Sequence, residues 1–185
     1  MNLRFLSFIL SVFPFSKSNK MFFTAPYALL NFLSMQVTIM DAIKTKIAAY
    51  LASHPYLRLG TVTAHSTPQV HTVGYVPEAC IIYFVTDRKS RKAENISKNP
   101  AVAFTVDENY EDVMAIQGIQ MEGTASRITL ETEAMRILGL MAKKFPGMEE
   151  MGPNPDLVIF KIEPTRGYFL DNTVAFGHRD MVEFL

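Results

Sequence analysis

Residues 81–108 read IIYFVTDRKSRKAENISKNPAVAFTVDE. The apolar, β-branched runs at the two ends are typical of strands, and the polar stretch between them predicts a short helix. Basic side chains stand at positions 88, 89, 91 and 92, and Ser90 among them is suited to cap that helix. A capped helix start leaves backbone N–H groups free, and its dipole adds positive charge. We call Thr86 to Lys92 the anion corner and predict that it binds one dianionic phosphate group.

After Met40 the chain alternates strand-like runs with turn residues. Strands are predicted at 57–64, 69–76, 80–86, 101–107, 113–128 and 157–170. Two amphipathic helices are predicted, one over 41–53 and one marked by Ala134, Ile137, Leu138, Met141 and Phe145. Short strands joined by tight turns, with few helices, favour a mainly β fold in which an antiparallel sheet closes into a barrel.

Composition narrows the classes of function. The chain has 185 residues with 18 basic and 18 acidic side chains, so we expect one main domain and no nucleic-acid partner. Its single cysteine, Cys80, predicts a buried thiol in a reducing compartment, which favours a cytoplasmic protein. The sequence contains no Walker loop or dinucleotide-binding glycine fingerprint. The histidines have no metal-ligand spacing, so no metal site is expected.

Residues 1–39 differ in character from the rest of the chain and are interpreted as an N-terminal extension to a domain at 40–185. An apolar run from Phe5 to Phe15 follows Arg4, as in a signal peptide, but no small-residue cleavage site follows it. The run is interrupted by Pro14 and is too short to span a bilayer, so no membrane partner is expected. The alternatives are a targeting or disordered segment and a translation start at Met40, and we favour the start at Met40.

Residues 81–108 and the segment IQGIQMEGTASRI, at 116–128, resemble the pyridoxamine 5'-phosphate oxidase-like, FMN-binding split-barrel family. The resemblance extends from about Met40 to the C-terminus. It implies a six-stranded antiparallel split β-barrel of Greek-key type with flanking helices. It also implies an FMN cofactor at the interface of a homodimer, with a small-molecule substrate and electron donor that the sequence does not identify.

The resemblance also assigns cofactor-binding residues. Arg91 and Lys92 would hold the FMN phosphate, whereas Arg88 and Lys89 are interpreted as a solvated turn. Gln117 would reach the cofactor of a partner subunit, the alternative being an ordinary surface residue. The residues assigned to the cofactor are His71, Thr72, Val73, Gly74, Val85, Thr86, Ser90, Arg91, Lys92, Gln117, His178 and Arg179.

His178 is the candidate catalytic residue. It lies in a turn-rich segment, 170–179, which could fold over the flavin and place the imidazole as a proton donor. The alternative is a terminal segment packed on the barrel, with His178 hydrogen-bonded to backbone.

Three positions depart from the family pattern. Pyridoxamine phosphate oxidases carry basic residues where this chain has Val70, Tyr75 and Phe176. Each substitution removes a cation, and a lost charge-assisted contact costs about 1.5–3 kcal/mol when it is desolvated. Vitamin B6 oxidation is therefore not the expected activity.

The leading hypothesis is an FMN-dependent oxidoreductase acting on a small molecule. A second is a flavin carrier or sensor without turnover, or a haem-binding protein of the same fold. A third is a barrel that binds RNA through Arg88 to Lys92, with Tyr75 and Tyr83 as stacking platforms. A deazaflavin of the F420 type remains an alternative to FMN.

Overall fold

The computed structural model describes residues 24–148 and 154–184. The chain separates into two units, 1–39 and 40–185. The apolar run Phe5 to Phe15 lies outside the described residues. The helices are α1 (Thr24–Ser53), α2 (Arg91–Lys98) and α3 (Glu131–Lys144), with a 3-10 turn at Val113–Ala115. The strands are β1 (Tyr56–Val62), β2 (Pro68–Gly74), β3 (Val76–Glu78), β4 (Ile81–Asp87), β5 (Ala101–Asp107), β6 (Gln117–Arg127), β7 (Leu157–Asp171) and β8 (Arg179–Glu183).

All eight strands belong to one antiparallel sheet. Seven follow the order β2-β1-β5-β6-β7-β4-β3, and β8 pairs with the second half of β7. The outermost strands of this order, β2 and β3, are consecutive in the chain and only Tyr75 separates them. The Tyr75 side chain is buried and its hydroxyl donates to the Leu51 carbonyl at 2.8 Å. The sheet therefore curls until its two edges meet at one corner, which confirms the mainly β split barrel with flanking helices.

Several predicted boundaries change. The sheet has eight strands rather than six, because Tyr75 divides the run 69–76 and a short strand follows the turn-rich C-terminal segment. The run 113–128 begins as a 3-10 turn, since the Asp112 carboxylate accepts a hydrogen bond from the Met114 N–H at 2.8 Å. The helix predicted over 41–53 begins earlier, at Thr24.

Two apolar clusters hold the domain together. The barrel interior contains side chains that alternate along the strands, such as Leu57 and Leu59 of β1, and α1 adds Ile47 and Leu51. The second cluster lies under α3 and contains Val76, Tyr83, Ile137, Met141 and Ile159. Cys80 is buried in the first cluster, as predicted. Among the described residues, no helix is long and apolar enough to cross a bilayer.

Candidate anion- and cofactor-binding site

The anion corner forms where β4 ends and α2 begins. Ser90 is the N-cap of α2, with extended backbone (φ −69°, ψ 149°), and its Oγ accepts a hydrogen bond from the Ala93 N–H at 3.4 Å. The sequence-based prediction of this cap is confirmed. Helix α2 presents Ala93, Asn95 and Ile96 to the barrel as its buried face, which fixes the direction of its N-terminus.

The four cations of the corner fall into two pairs. Arg88 and Lys89 both face Asp156, at 2.6 Å and 4.0 Å from its carboxylate oxygens. Arg91 and Lys92 have no acidic partner within the part of the chain that the structure describes. The Lys92 Nζ instead donates to the Thr86 Oγ1 at 3.2 Å, and that oxygen lies 3.1 Å from the Ser90 Oγ. Arg91 and Lys92 are thus the charges that remain for a ligand.

The donor set fits a phosphate group. Partial burial lowers the pKa of the Lys92 ammonium, and the adjacent Arg91 guanidinium lowers it further. Two uncompensated cations beside the hydroxyls of Ser90 and Thr86 would be stabilised by a dianion, which accepts hydrogen bonds from all of them. Phosphate has the charge and the acceptor oxygens that this arrangement lacks.

A series of hydrogen bonds between largely buried polar side chains connects α2 to the barrel wall. The Asn95 Nδ2 donates to the Thr61 Oγ1 at 2.9 Å and to the Gln69 Oε1 at 3.0 Å. The Thr61 Oγ1 also lies 3.0 Å from the His71 Nε2. Burial lowers the pKa of the His71 imidazole, and the charges of Lys92 and Arg91 lower it further. The structure therefore brings His71 close to the anion corner.

Sequence reasoning missed Thr61, Gln69 and Asn95. The available signal was Asn95 itself, because a polar residue on the helix face that carries Ala93 and Ile96 must find partners when that face is buried. The partners come from a hairpin, in which Thr61 of β1 stands opposite Gln69 of β2. Only the register of that hairpin identifies them.

The other predicted residues of β2 and β4 do not join the corner through their side chains. Thr72 is exposed, and Val73 is buried in the barrel core. A Cβ at Gly74 would lie 3.1 Å from the Phe145 ring, so the group that packs closely on this glycine is Phe145. Val85 packs with the cluster under α3. Because β2 is the last strand of the sheet order, it pairs with β1 on one side only.

Gln117 and His178 are both hydrogen-bonded to Asp171 and form a second group, next to Arg179 in the chain. The Gln117 Nε2 donates to the Asp171 Oδ1 at 3.0 Å, and the Lys46 Nζ lies 2.7 Å from its Oδ2. The His178 carbonyl accepts from the Asp171 N–H at 3.0 Å, and Arg179 is exposed at the start of β8. Gln117 is half-buried, and its amide is hydrogen-bonded within the chain to a buried carboxylate.

Asp171 is 3% exposed, and its carboxylate is the negative charge at the centre of this group. Burial alone would raise the pKa of its carboxyl, but hydrogen bonds from Lys46, Thr173 and Gln117 outweigh burial and hold the pKa well below its usual range. His178 has its own carboxylate, with Nε2 3.2 Å from the Asp180 Oδ1. The C-terminal turn is therefore held in place by side chains as well as backbone.

The two groups lie at opposite ends of β7. Thr86 of the anion corner pairs with Val158, whereas Gln117 pairs with Asp171. A strand rises about 3.3 Å per residue, so roughly 40 Å of β7 separates these pairs. The two groups are therefore separated by nearly the full length of β7.

The two tyrosines of the RNA-binding hypothesis are buried in the structure. Tyr75 and Tyr83 are 0% and 4% exposed, because they pack in the barrel and under α3. Neither ring can serve as a stacking platform, so this prediction is wrong. Across residues 24–148 and 154–184, no three His, Cys, Asp or Glu side chains are grouped as metal ligands would be.

Comparison with known proteins places these features in context. A family model described as pyridoxamine 5'-phosphate oxidase matches residues 43–171. A UPF0306 protein of Klebsiella pneumoniae is 29% identical over 105 residues, which cover 57% of this chain and 68% of the relative.

Two solved structures share the fold. One is General Stress Protein 26 of Bacillus anthracis, with a TM-score of 0.58 and 23% identity, covering 77% of this chain and 98% of that one. The other is HutZ, the haem storage protein of Vibrio cholerae, with a TM-score of 0.57 and 20% identity, covering 64% and 87%. At these identities the structural likeness concerns the fold alone.

Proposed function

Because the chain belongs to the pyridoxamine 5'-phosphate oxidase family, we propose that it binds FMN and acts as an oxidoreductase on a small molecule. The observation that carries this proposal is the pair Arg91 and Lys92, which have no carboxylate partner among the described residues. Lys92 lies beside the hydroxyls of Thr86 and Ser90. Bound FMN supplies the electron-transfer chemistry, and the protein supplies its binding and orientation.

Each residue of the corner has a distinct task. The Arg91 guanidinium is a planar fork suited to two phosphate oxygens, whereas the Lys92 ammonium acts as a point charge. Ser90 fixes the start of α2, so the first backbone N–H groups point toward the anion. The backbone edge of β2, around Thr72 and Gly74, is proposed to contact the flavin ring.

We propose that the complete site forms in a homodimer. The corner and the Gln117–His178 group lie at opposite ends of β7, so both can meet one FMN only when the second group comes from another copy of the chain. Gln117 and Arg179 of one subunit would then complete the anion corner of its partner. His178, beside Asp180, is the candidate proton donor in this arrangement.

The proposed substrate is not pyridoxamine phosphate. Val70 and Phe176 are 71% and 74% exposed, so apolar surface stands where the family pattern has cations. Tyr75, the third departure, is a core residue. A phosphorylated vitamin would lose its charged contacts at all three positions. We place the enzyme in the cytoplasm, where the buried Cys80 stays a thiol.

Haem binding is the second candidate function. The fold is shared with a haem storage protein, and the pair Arg91 and Lys92 could also hold the carboxylates of a haem. In that case an imidazole such as His178 of a second copy of the chain would serve as the iron ligand.

The absorption spectrum of the purified protein distinguishes these functions. We expect flavin bands, release of FMN on denaturation, and bleaching by an electron donor with turnover. A Soret band would support haem instead. Bleaching without turnover would indicate a flavin carrier, and failure to take up added FMN would contradict the proposal.

A further inference from the structure

We propose that His71 is the third cation of the anion site. The imidazole is neutral in the anion-free protein and takes up a proton from solvent when a dianionic phosphate binds to Arg91 and Lys92. This inference rests on the proposed function, since it concerns the same phosphate site. It adds a residue whose charge depends on the ligand.

The hydrogen bonds around Thr61 define the neutral state. Thr61 is 2% exposed, so its hydroxyl proton needs an acceptor inside the protein. Its Oγ1 already accepts from the Asn95 Nδ2, and the His71 Nε2 at 3.0 Å is positioned to accept the hydroxyl proton. The Nε2 atom is then unprotonated, and the proton of the neutral ring lies on Nδ1.

The charges that face His71 oppose its protonation. They are Lys92 and Arg91, both from α2, while β1 and β2 contribute the uncharged Thr61 and Gln69. No carboxylate within the described residues pairs with the His71 ring. A bound dianion would bring two negative charges to the two cations, and an imidazolium beside it would become favourable.

The hydrogen bonds around Thr61 can accommodate the added proton. A hydroxyl oxygen has two acceptor positions, so the Thr61 Oγ1 can accept from the Asn95 Nδ2 and from a protonated His71 Nε2 together. The Thr61 hydroxyl proton then loses its acceptor, a cost that the attraction between the imidazolium and the dianion has to exceed. By linkage, a proton taken up with the anion makes anion binding tighter as the pH falls.

NMR titration of the histidine ring signals tests the inference, with sulfate as the probe because it stays dianionic across the titration. The pKa of His71 is measured in sulfate and in chloride at equal ionic strength, and the backbone amides of residues 90–93 report whether sulfate binds. We expect sulfate to raise the pKa of His71 by about one unit. Arg91→Ala/Lys92→Ala should remove that rise, and His65, exposed in the β1–β2 turn, is the internal control.

Two results would count against the proposal in different ways. Amide shifts at 90–93 without a change in the His71 titration would overturn the inference and leave the phosphate site standing. If sulfate shifts none of these amide signals, both the inference about His71 and the proposed phosphate site are wrong. His71→Asn, which retains an acceptor for Thr61, gives an independent readout: sulfate should bind to it with less pH dependence than to the wild type.

Discussion

Single polar residues set the geometry of both groups in this barrel. Asn95 connects α2 to two strands, and Asp171 connects the C-terminal turn to β6 and α1. Both side chains are buried, so an unmade hydrogen bond there costs more than the same bond at the surface. Replacing either residue is therefore expected to lower the stability of the protein and to displace a residue that we propose contacts the cofactor.

Asn95→Ala should destabilise the protein by about 1–3 kcal/mol, because the Thr61 hydroxyl and the Gln69 carbonyl oxygen lose their shared donor. Urea denaturation measures the change. Ser97→Ala, on the exposed side of the same helix, is the control and should change the free energy of unfolding by no more than about 0.5 kcal/mol. Equal effects of the two substitutions would show that the buried hydrogen bonds of Asn95 add nothing to the stability of the protein.

Asp171 predicts a specific pH dependence. Its folded-state pKa is depressed, so its contribution to stability is present above the unfolded-state pKa of about 4 and is lost as the pH falls toward the folded-state value. Asp171→Asn should cost about 1.5–3 kcal/mol at pH 7, and the difference from wild type should shrink in acid. Denaturation midpoints at neutral and acidic pH check this. Exposed Glu111→Gln is the control, and a difference independent of pH would contradict the assignment.

At the scale of elements, the close approach of β6 and β7 shapes the barrel. The register between these strands shifts at Glu122/Gly123, next to Pro164 of β7. A Cβ at Gly123 would lie 2.6 Å from the Glu163 carbonyl oxygen. That contact is with backbone, which cannot rotate away as a side chain can. The absence of a side chain at Gly123 is therefore a requirement of the fold.

Gly123→Ala should destabilise the protein by about 1–3 kcal/mol through overpacking. Gly139→Ala is the matched control, because Gly139 lies inside α3 with nothing within 4 Å of its Cβ position. That substitution should raise stability by about 0.5–1 kcal/mol, since alanine favours the helix. Thermal unfolding of both variants gives the comparison. Tolerance of Gly123→Ala would mean that β6 and β7 can separate at this point.

Local sequence predicted most elements because alternation and turn residues are local signals. The Ser90 cap followed from residue type and position alone. The strand β8 was missed because turn formers from Thr173 to Gly177 precede it and its five residues gain their pairing only from β7. The link between Gln117 and Asp171 joins residues far apart in sequence, so no local pattern indicates it.

At the scale of the whole molecule, β7 keeps the two proposed halves of the cofactor site apart. Mixed dimers test whether they belong to different subunits. One chain carries Arg91→Ala/Lys92→Ala and the other carries Arg179→Ala, an exposed position in β8. A shared site predicts that the mixed dimer retains one intact FMN site, whereas each variant alone binds weakly at both. Weak binding at both sites of the mixed dimer would place the whole site within one chain.

The affinity of FMN relative to riboflavin reports directly on the anion corner, because the two flavins differ only in the phosphate. Wild-type protein should prefer FMN, and Arg91→Ala/Lys92→Ala should weaken FMN by about tenfold or more per lost charge-assisted contact while leaving riboflavin nearly unchanged. Arg88→Ala/Lys89→Ala removes the same charge from the pair held by Asp156 and should preserve the preference. An equal loss for both flavins in the Arg91→Ala/Lys92→Ala protein would contradict phosphate binding at this corner.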